Sequence, residues 1–187
     1  MWVEAPAFTA GVSGSDKILR FSAGDRFYSQ SDMAHAPQEI RTFFVTSVTN
    51  RRHPFFKNSE AAELLINTLY FYWTQGKFAL HEFVIMPDHF HLIITPEEQI
   101  PLEKAVQYIK GGYATAARRE LGLSRIWQPK PTNHRIRDAA DYEQHRDYIF
   151  DNPVRAGLAP HPEDYPYSSA RRRDNLDPRP PALKRTI

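Results

Sequence analysis

His89-Phe90-His91 places two imidazoles two residues apart. On a strand, alternate side chains share a face, so both rings would point one way while Phe90 points into the core, and the two rings could converge on one cation. Two ligands do not complete a site, and a histidine pair on a strand edge is often a solvated pair of neighbours. The preceding Met86-Pro87-Asp88 turn places this pair at a sheet end, where side chains stay accessible. Tyr148 and Asn152, four apart, would share one helical face and deliver a phenol and an amide oxygen to the same spot. Tyr142 is a competing nucleophile. Six residues on a helix turn through a net angle of about 120°, so only one of the two tyrosines can face the histidines. By periodicity alone Tyr148 also reads as amphipathic core packing.

These residues need elements to position them. Arg41 to Thr49 is rich in Phe, Val and Thr and predicts a strand, punctuated by Asn50 to Pro54. From Asn58 to Gln75 apolar residues recur at three- and four-residue spacing, which predicts a helix with Asn58 or Ser59 as cap and Gly76 as stop. Phe78 to Met86 and Phe90 to Thr95 predict two antiparallel strands around Pro87 and Asp88. Leu102 to Leu121 predicts a second helix, open to a kink at Gly111-Gly112 and ended by Gly122. Ile126 to Asn133 reads as a loop, His134 to Arg137 as a short strand, and Asp138 as the opening of a third helix that Pro153 should stop. The order is the split βαβ pattern, so the expected class is α+β. That means a ferredoxin-like or RRM-like antiparallel sheet with helices on one face, plus a C-terminal helix carrying the tyrosine.

At 187 residues with 41% hydrophobic and 25% charged side chains, the chain has the composition of one globular domain with appended segments. The expected division is an irregular arm over residues 1–38, a catalytic domain over 39–170, and a basic, proline-rich mobile tail over 171–187 that includes Arg171-Arg172-Arg173. The absence of cysteine excludes disulfides, thiol catalysis and cysteine-ligated metal. The longest apolar runs are about five residues, far short of a membrane span, and there is no basic-then-apolar leader, so a cytoplasmic protein without a membrane partner is expected. Lysine and arginine outnumber acids 16 to 10 over residues 104–187 but trail them 8 to 12 over residues 1–103. That asymmetry suits a polyanion, and equally suits a solvated surface.

The combination of motifs resembles the REP-associated tyrosine transposases, part of the HUH single-tyrosine group. It runs from the His89/His91 pair after Met86-Pro87-Asp88 through Tyr108-Ile109-Lys110-Gly111, Ile126-Trp127-Gln128-Pro129 and His134-Arg135-Ile136-Arg137. It continues in Tyr148-Ile149-Phe150-Asp151-Asn152-Pro153-Val154-Arg155-Ala156-Gly157 and Tyr165-Pro166-Tyr167-Ser168-Ser169. Where the family carries an aromatic after Ile-Trp-Gln-x-x, this chain has Pro131-Thr132. The resemblance implies that His89, His91 and Asn152 hold a divalent cation and that Tyr148 is the nucleophile. It also implies cutting and rejoining of hairpin-bearing single-stranded DNA of the repetitive extragenic palindrome type through a 5′-phosphotyrosine. Nitrogen and oxygen ligands favour Mg²⁺ or Mn²⁺, and a phenol, ordinarily titrating near 10, needs a base or a cation's field to attack.

Lys104, Lys110, Arg118, Arg119, Arg135 and Arg137, all in the basic half, are the expected phosphate contacts. Two rivals remain. A non-catalytic ferredoxin-like module would bind nucleic acid without forming a covalent product. A metallohydrolase would need a third protein ligand and a base, and nothing beyond Asp88 stands near the pair in sequence. The chain could act as a monomer or a homodimer.

Overall fold

The structure is a computed structural model, and it describes residues 41–172, 176–181 and 183. The arm expected over residues 1–38 lies outside them.

Four strands, β1 (Phe43–Val48), β2 (Phe78–Met86), β3 (His89–Pro96) and β4 (Thr132–Arg135), form one antiparallel sheet in the order β2-β3-β1-β4. This is the expected split βαβ arrangement. Helices α1 (Ser59–Thr74) and α2 (Leu102–Leu121) cover one face, and α3 (Ala139–Arg155) lies on the other. Strand alternation accounts for the two cores. On β3, Phe90, Leu92 and Ile94 point toward α1 and α2, whereas Ile93 packs on the α3 side with Tyr142 and Ile149. The sheet is therefore buried on both faces, which is why its central strands read as nearly continuous apolar runs.

A bulge between Leu80 and Glu82 on β2 changes the parity of that strand. Leu80 and Phe83 both face α1 and α2, while Val84 and Met86 turn to the α3 side. Asn58 caps α1, its side chain accepting from the Glu60 and Ala61 amides, and Gly76 takes a left-handed φ of 64° just beyond the helix. Helix α2 runs unbroken through Gly111-Gly112, correcting the expected kink. Gly112 is there for space: a Cβ would lie 2.5 Å from a ring carbon of Tyr72 on α1.

Two other expectations are corrected. The last strand is Thr132–Arg135 rather than His134 to Arg137, because its pairing partners on β1 run from Thr46 to Phe43. Pro153 does not stop α3, which continues to Arg155. A proline removes only its own amide from the ladder, and this one lies buried in the last turns, where packing outweighs the lost bond.

The described part of the tail packs on the sheet. Asp177 accepts from the Leu80 amide at 2.8 Å and the Trp73 indole at 2.6 Å and donates its own amide to the Leu80 carbonyl at 2.9 Å. With the Tyr167 carbonyl on the Ile85 amide and the Ser169 amide on the Phe83 carbonyl, this segment covers the edge of β2. Arg172 pairs with Glu63 at 2.5 Å. Among the described residues no helix is long and apolar enough to cross a membrane.

Candidate active site

The antiparallel register sets Thr46 opposite His91 and Val48 opposite His89 on the face that α3 covers. His89 and His91 do share that face, with ring centroids 4.8 Å apart, and Phe90 is buried on the other side. His91 is itself only 4% exposed. Each histidine has one ring nitrogen engaged. His89 Nδ1 is 2.6 Å from Asp88 Oδ1, and His91 Nδ1 is 2.7 Å from Thr46 Oγ1. His91 Nε2 is buried and has no hydrogen-bond partner among the described residues.

Electrostatics keep His91 neutral. Burial, reinforced by the charge of His89, pushes it down to about 3. Burial works in the opposite sense on Asp88, but the hydrogen bond with His89 and the Arg52 guanidinium, 3.1 Å away, hold its carboxyl below the ordinary value. Two imidazoles, each gripped at Nδ1 by an oxygen, are held as histidine is when it binds metal through Nε2. The orphaned Nε2 of His91 is the observation that fits these residues to a cation.

Helix α3 gives the two tyrosines different surroundings. Tyr142 is buried among Val84, Ile93 and Ile149, its hydroxyl 3.4 Å from Glu82 Oε1, and burial together with that carboxylate raises its pKa. Tyr148 is 41% exposed and meets His91 edge-on, with ring centroids 5.1 Å apart. Phe44 of β1 walls the same spot, stacking on His91 at 5.2 Å and meeting Tyr148 edge-on at 5.9 Å. Asn152 lies half-buried one turn beyond Tyr148 on the same helical stripe.

The cationic residues are not gathered at this site. Lys104, Arg118 and Arg119 are exposed on α2, across the sheet from His91. Lys104 Nζ lies 5.2 Å from the Tyr108 ring, and Arg119 pairs with Glu120. Lys110 is half-buried on α2. Its Nζ donates to the Gln128 carbonyl at 2.9 Å and sits over the Trp127 ring, and burial lowers its pKa. It braces the loop that the Trp127 indole fastens to the Lys110 carbonyl. Arg135 is exposed on β4 opposite Phe43, whose face is the one that α1 and α2 cover, and Arg137 bonds to Asp141.

Sequence reasoning missed Thr46 and Phe44, which only strand pairing brings to the histidines. It also missed a second cluster: His134, Asp141 and His145 stand together beside Phe44, with the His145 ring 4.6 Å from it. The absence of an acid or histidine cluster beyond Asp88 therefore holds along the sequence and not in space. The i, i+4 spacing of Asp141 and His145 on a helix was the available signal.

The chain is similar to known proteins. The family model described as transposase IS200 like matches residues 40–151. A REP-associated tyrosine transposase of Escherichia coli (strain K12) is 31% identical over 131 residues, 70% of this chain and 76% of that protein. A Haemophilus influenzae protein that carries a REP-associated tyrosine transposase name is 34% identical over 99 residues, 47% of this chain and 56% of that one. Among solved structures, a REP-associated tyrosine transposase bound to a REP hairpin matches with a TM-score of 0.63 and 27% identity, covering 89% of this chain and 99% of the other. With the sheet and the greater part of α3 inside the family's span, and a solved member superposing along most of its length, the chain belongs to the IS200-like transposases and, among them, to the REP-associated tyrosine transposases.

Proposed function

We propose that this transposase cuts and rejoins single-stranded DNA next to a hairpin of the repetitive extragenic palindrome type, with Tyr148 as nucleophile. His89, His91 and Asn152 would hold Mg²⁺ or Mn²⁺. The observation that carries the reading is the edge-on approach of Tyr148 to His91, whose buried Nε2 lacks a partner among the described residues.

Each residue has a task in this reaction. Asp88 and Thr46 fix the two rings so that both Nε2 atoms remain available. The cation, when bound, supplies Lewis-acid polarisation of the scissile phosphate. Tyr148, exposed enough for a DNA strand to reach, attacks phosphorus through its hydroxyl oxygen. The phenolic proton is released to water, the bond from phosphorus to the 3′ oxygen breaks, that oxygen takes up a proton from water and leaves as a 3′ hydroxyl, and the 5′ phosphate stays on Tyr148. The ester retains the bond's energy, so a 3′ hydroxyl can later attack it, release Tyr148 and reseal a strand without ATP. Phe44 excludes water from one side of the approach.

The test is formation of a denaturant-stable adduct between the protein and a labelled single-stranded hairpin oligonucleotide in Mg²⁺ or Mn²⁺. Tyr148→Phe should abolish the adduct and Tyr142→Phe should leave it. An adduct that survives Tyr148→Phe refutes the assignment.

A further inference from the structure

On the far side of Phe44 from His91, strand β4 and the first turns of α3 bring together His134, Asp141 and His145, whose ligand atoms all lie within 4.8 Å of one another. We propose that these three residues bind one divalent ion of the zinc class, separate from the His89/His91 pair, and that this ion clamps the start of α3 to β4.

The donor set selects the ion. An anionic carboxylate beside two imidazoles suits zinc and its borderline neighbours, whereas the His89/His91 pair has only the neutral amide of Asn152 as its third candidate ligand. The carboxylate of Asp141 has its two oxygens in different roles. Oδ2 takes the Arg137 amide at 3.1 Å, the Arg137 Nε at 3.2 Å and His134 Nε2 at 2.9 Å. Oδ1 lies 3.0 Å from His134 Nε2 and 3.1 Å from His145 Nδ1. In a tetrahedral site with bonds of about 2.0–2.1 Å, neighbouring ligand atoms stand about 3.3 Å apart, so the ion is admitted when the contacts at Oδ1 open slightly and the two ring nitrogens, within 4.8 Å of each other, draw together.

Protons occupy this space now. His145 Nδ1 donates to the Asp141 backbone carbonyl at 2.7 Å, and His134 Nε2 shares its hydrogen with the carboxylate. Coordination moves each proton to the other nitrogen of its ring, a tautomer change that neutral imidazole makes without net proton loss. The Arg137 side chain is 74% exposed and can withdraw, while its backbone amide stays on Oδ2. Asp141 is buried and His134 is 41% exposed at its side chain, so the cluster is anchored at the carboxylate and open to solvent at His134, where a water completes the shell. The His134 and His145 rings already stack at 4.8 Å with 16° between their planes. His145 meets Phe44 at 4.6 Å, and Phe44 meets Tyr148, so the ion would steady the helix that presents Tyr148.

Zinc itself, offered to the untagged, metal-stripped full chain in excess Mg²⁺, is the probe. The His89→Ala/His91→Ala chain should retain one Zn²⁺ per molecule after equilibrium dialysis, and its thermal midpoint should rise with zinc. Adding His134→Gln and His145→Gln should remove both effects. The inference is overturned if the first variant holds no zinc, or if it holds as much after His134 and His145 are changed. Circular dichroism establishes that the variants are folded. If the first variant does not fold, the wild type is compared with His134→Gln/His145→Gln alone: one zinc fewer supports the site, and an equal stoichiometry refutes it. Neither result depends on DNA cleavage, so the site can fail while Tyr148 remains the nucleophile.

Discussion

Thr46 on β1 grips His91 on β3 across the sheet, its Oγ1 lying 2.7 Å from Nδ1, and the opposite ring nitrogen is buried without a hydrogen-bond partner among the described residues. For Nε2 to offer a lone pair, Nδ1 must carry the proton, so the threonine hydroxyl acts as its acceptor. Thr46→Val keeps the shape and removes the acceptor. Cleavage should then need about 10- to 100-fold more Mn²⁺, by analogy with other lost partners of metal-binding histidines. A Mn²⁺ titration of the cleavage rate measures it, and an unchanged half-saturation would mean that Thr46 does not tune the ligand.

Acid should destabilise the protein in a defined window. Folded His91 is held neutral down to about 3, whereas in the unfolded chain it gains a proton as pH falls past about 6.5. Between those limits the unfolded state binds more protons, so stability is lost as pH drops. A single such histidine makes the fold about 1.4 kcal/mol less stable at pH 5.5 than at 7.5. Burial lowers His81 as well, in the same sense. Urea denaturation at the two pH values, without added metal, should therefore give a smaller difference for His91→Gln than for the wild type, with the His81 part remaining. An identical pH dependence in both would argue that His91 titrates normally.

The tail should prove structural. Asp177 accepts from the Leu80 amide and the Trp73 indole at the edge of β2, and hydrogen bonds to charged groups are worth about 1.5–3 kcal/mol. Asp177→Ala should lower the unfolding free energy by about 2 kcal/mol. Because the residue touches β2 and α1, His81 included, and not His89 or His91, adduct formation at low temperature should be kept. Denaturant midpoints test the first part, and a loss below a few tenths of a kcal/mol would leave the tail without that role.

Neighbouring glycines in α2 should respond in opposite ways. A Cβ on Gly111 meets nothing within 4 Å, so Gly111→Ala should stabilise by up to about 1 kcal/mol through the lower entropy of the unfolded chain. On Gly112 the same atom falls 2.5 Å from Tyr72 Cε2 and 2.7 Å from its hydroxyl. Tyr72 stacks on Tyr108 at 5.4 Å, so moving it breaks that contact, and Gly112→Ala should lower the melting temperature where Gly111→Ala raises it. Equal shifts would mean that α1 and α2 separate freely.

How far each feature could be read beforehand follows from how local its cause is. The shared face of His89 and His91 follows from a period of two, and the Asn58 cap from a side chain that reaches amides two and three residues ahead. Helix α3 was foreseen as an element, but its end was not. A proline's effect on its own turn is local, while the packing that carries the helix on to Arg155 comes from the sheet beneath it.

What the amino-acid order determined by itself was the set of elements, their sequence along the chain, and the residue types able to hold a cation and attack a phosphate, because turn chemistry, capping and periodicity act over a few residues. What only the tertiary structure decided was which of those residues meet. Thr46 reaches His91 across 45 positions of sequence, His134 joins Asp141 and His145 because β4 pairs with β1, and the bulge at His81 turns Glu82 toward Tyr142. The exposure of Tyr148 beside His91, and the burial of Tyr142, belong to this second group. Burial and register are properties of the assembled sheet, where contacts between distant segments compete for the same space, and no local pattern encodes the outcome.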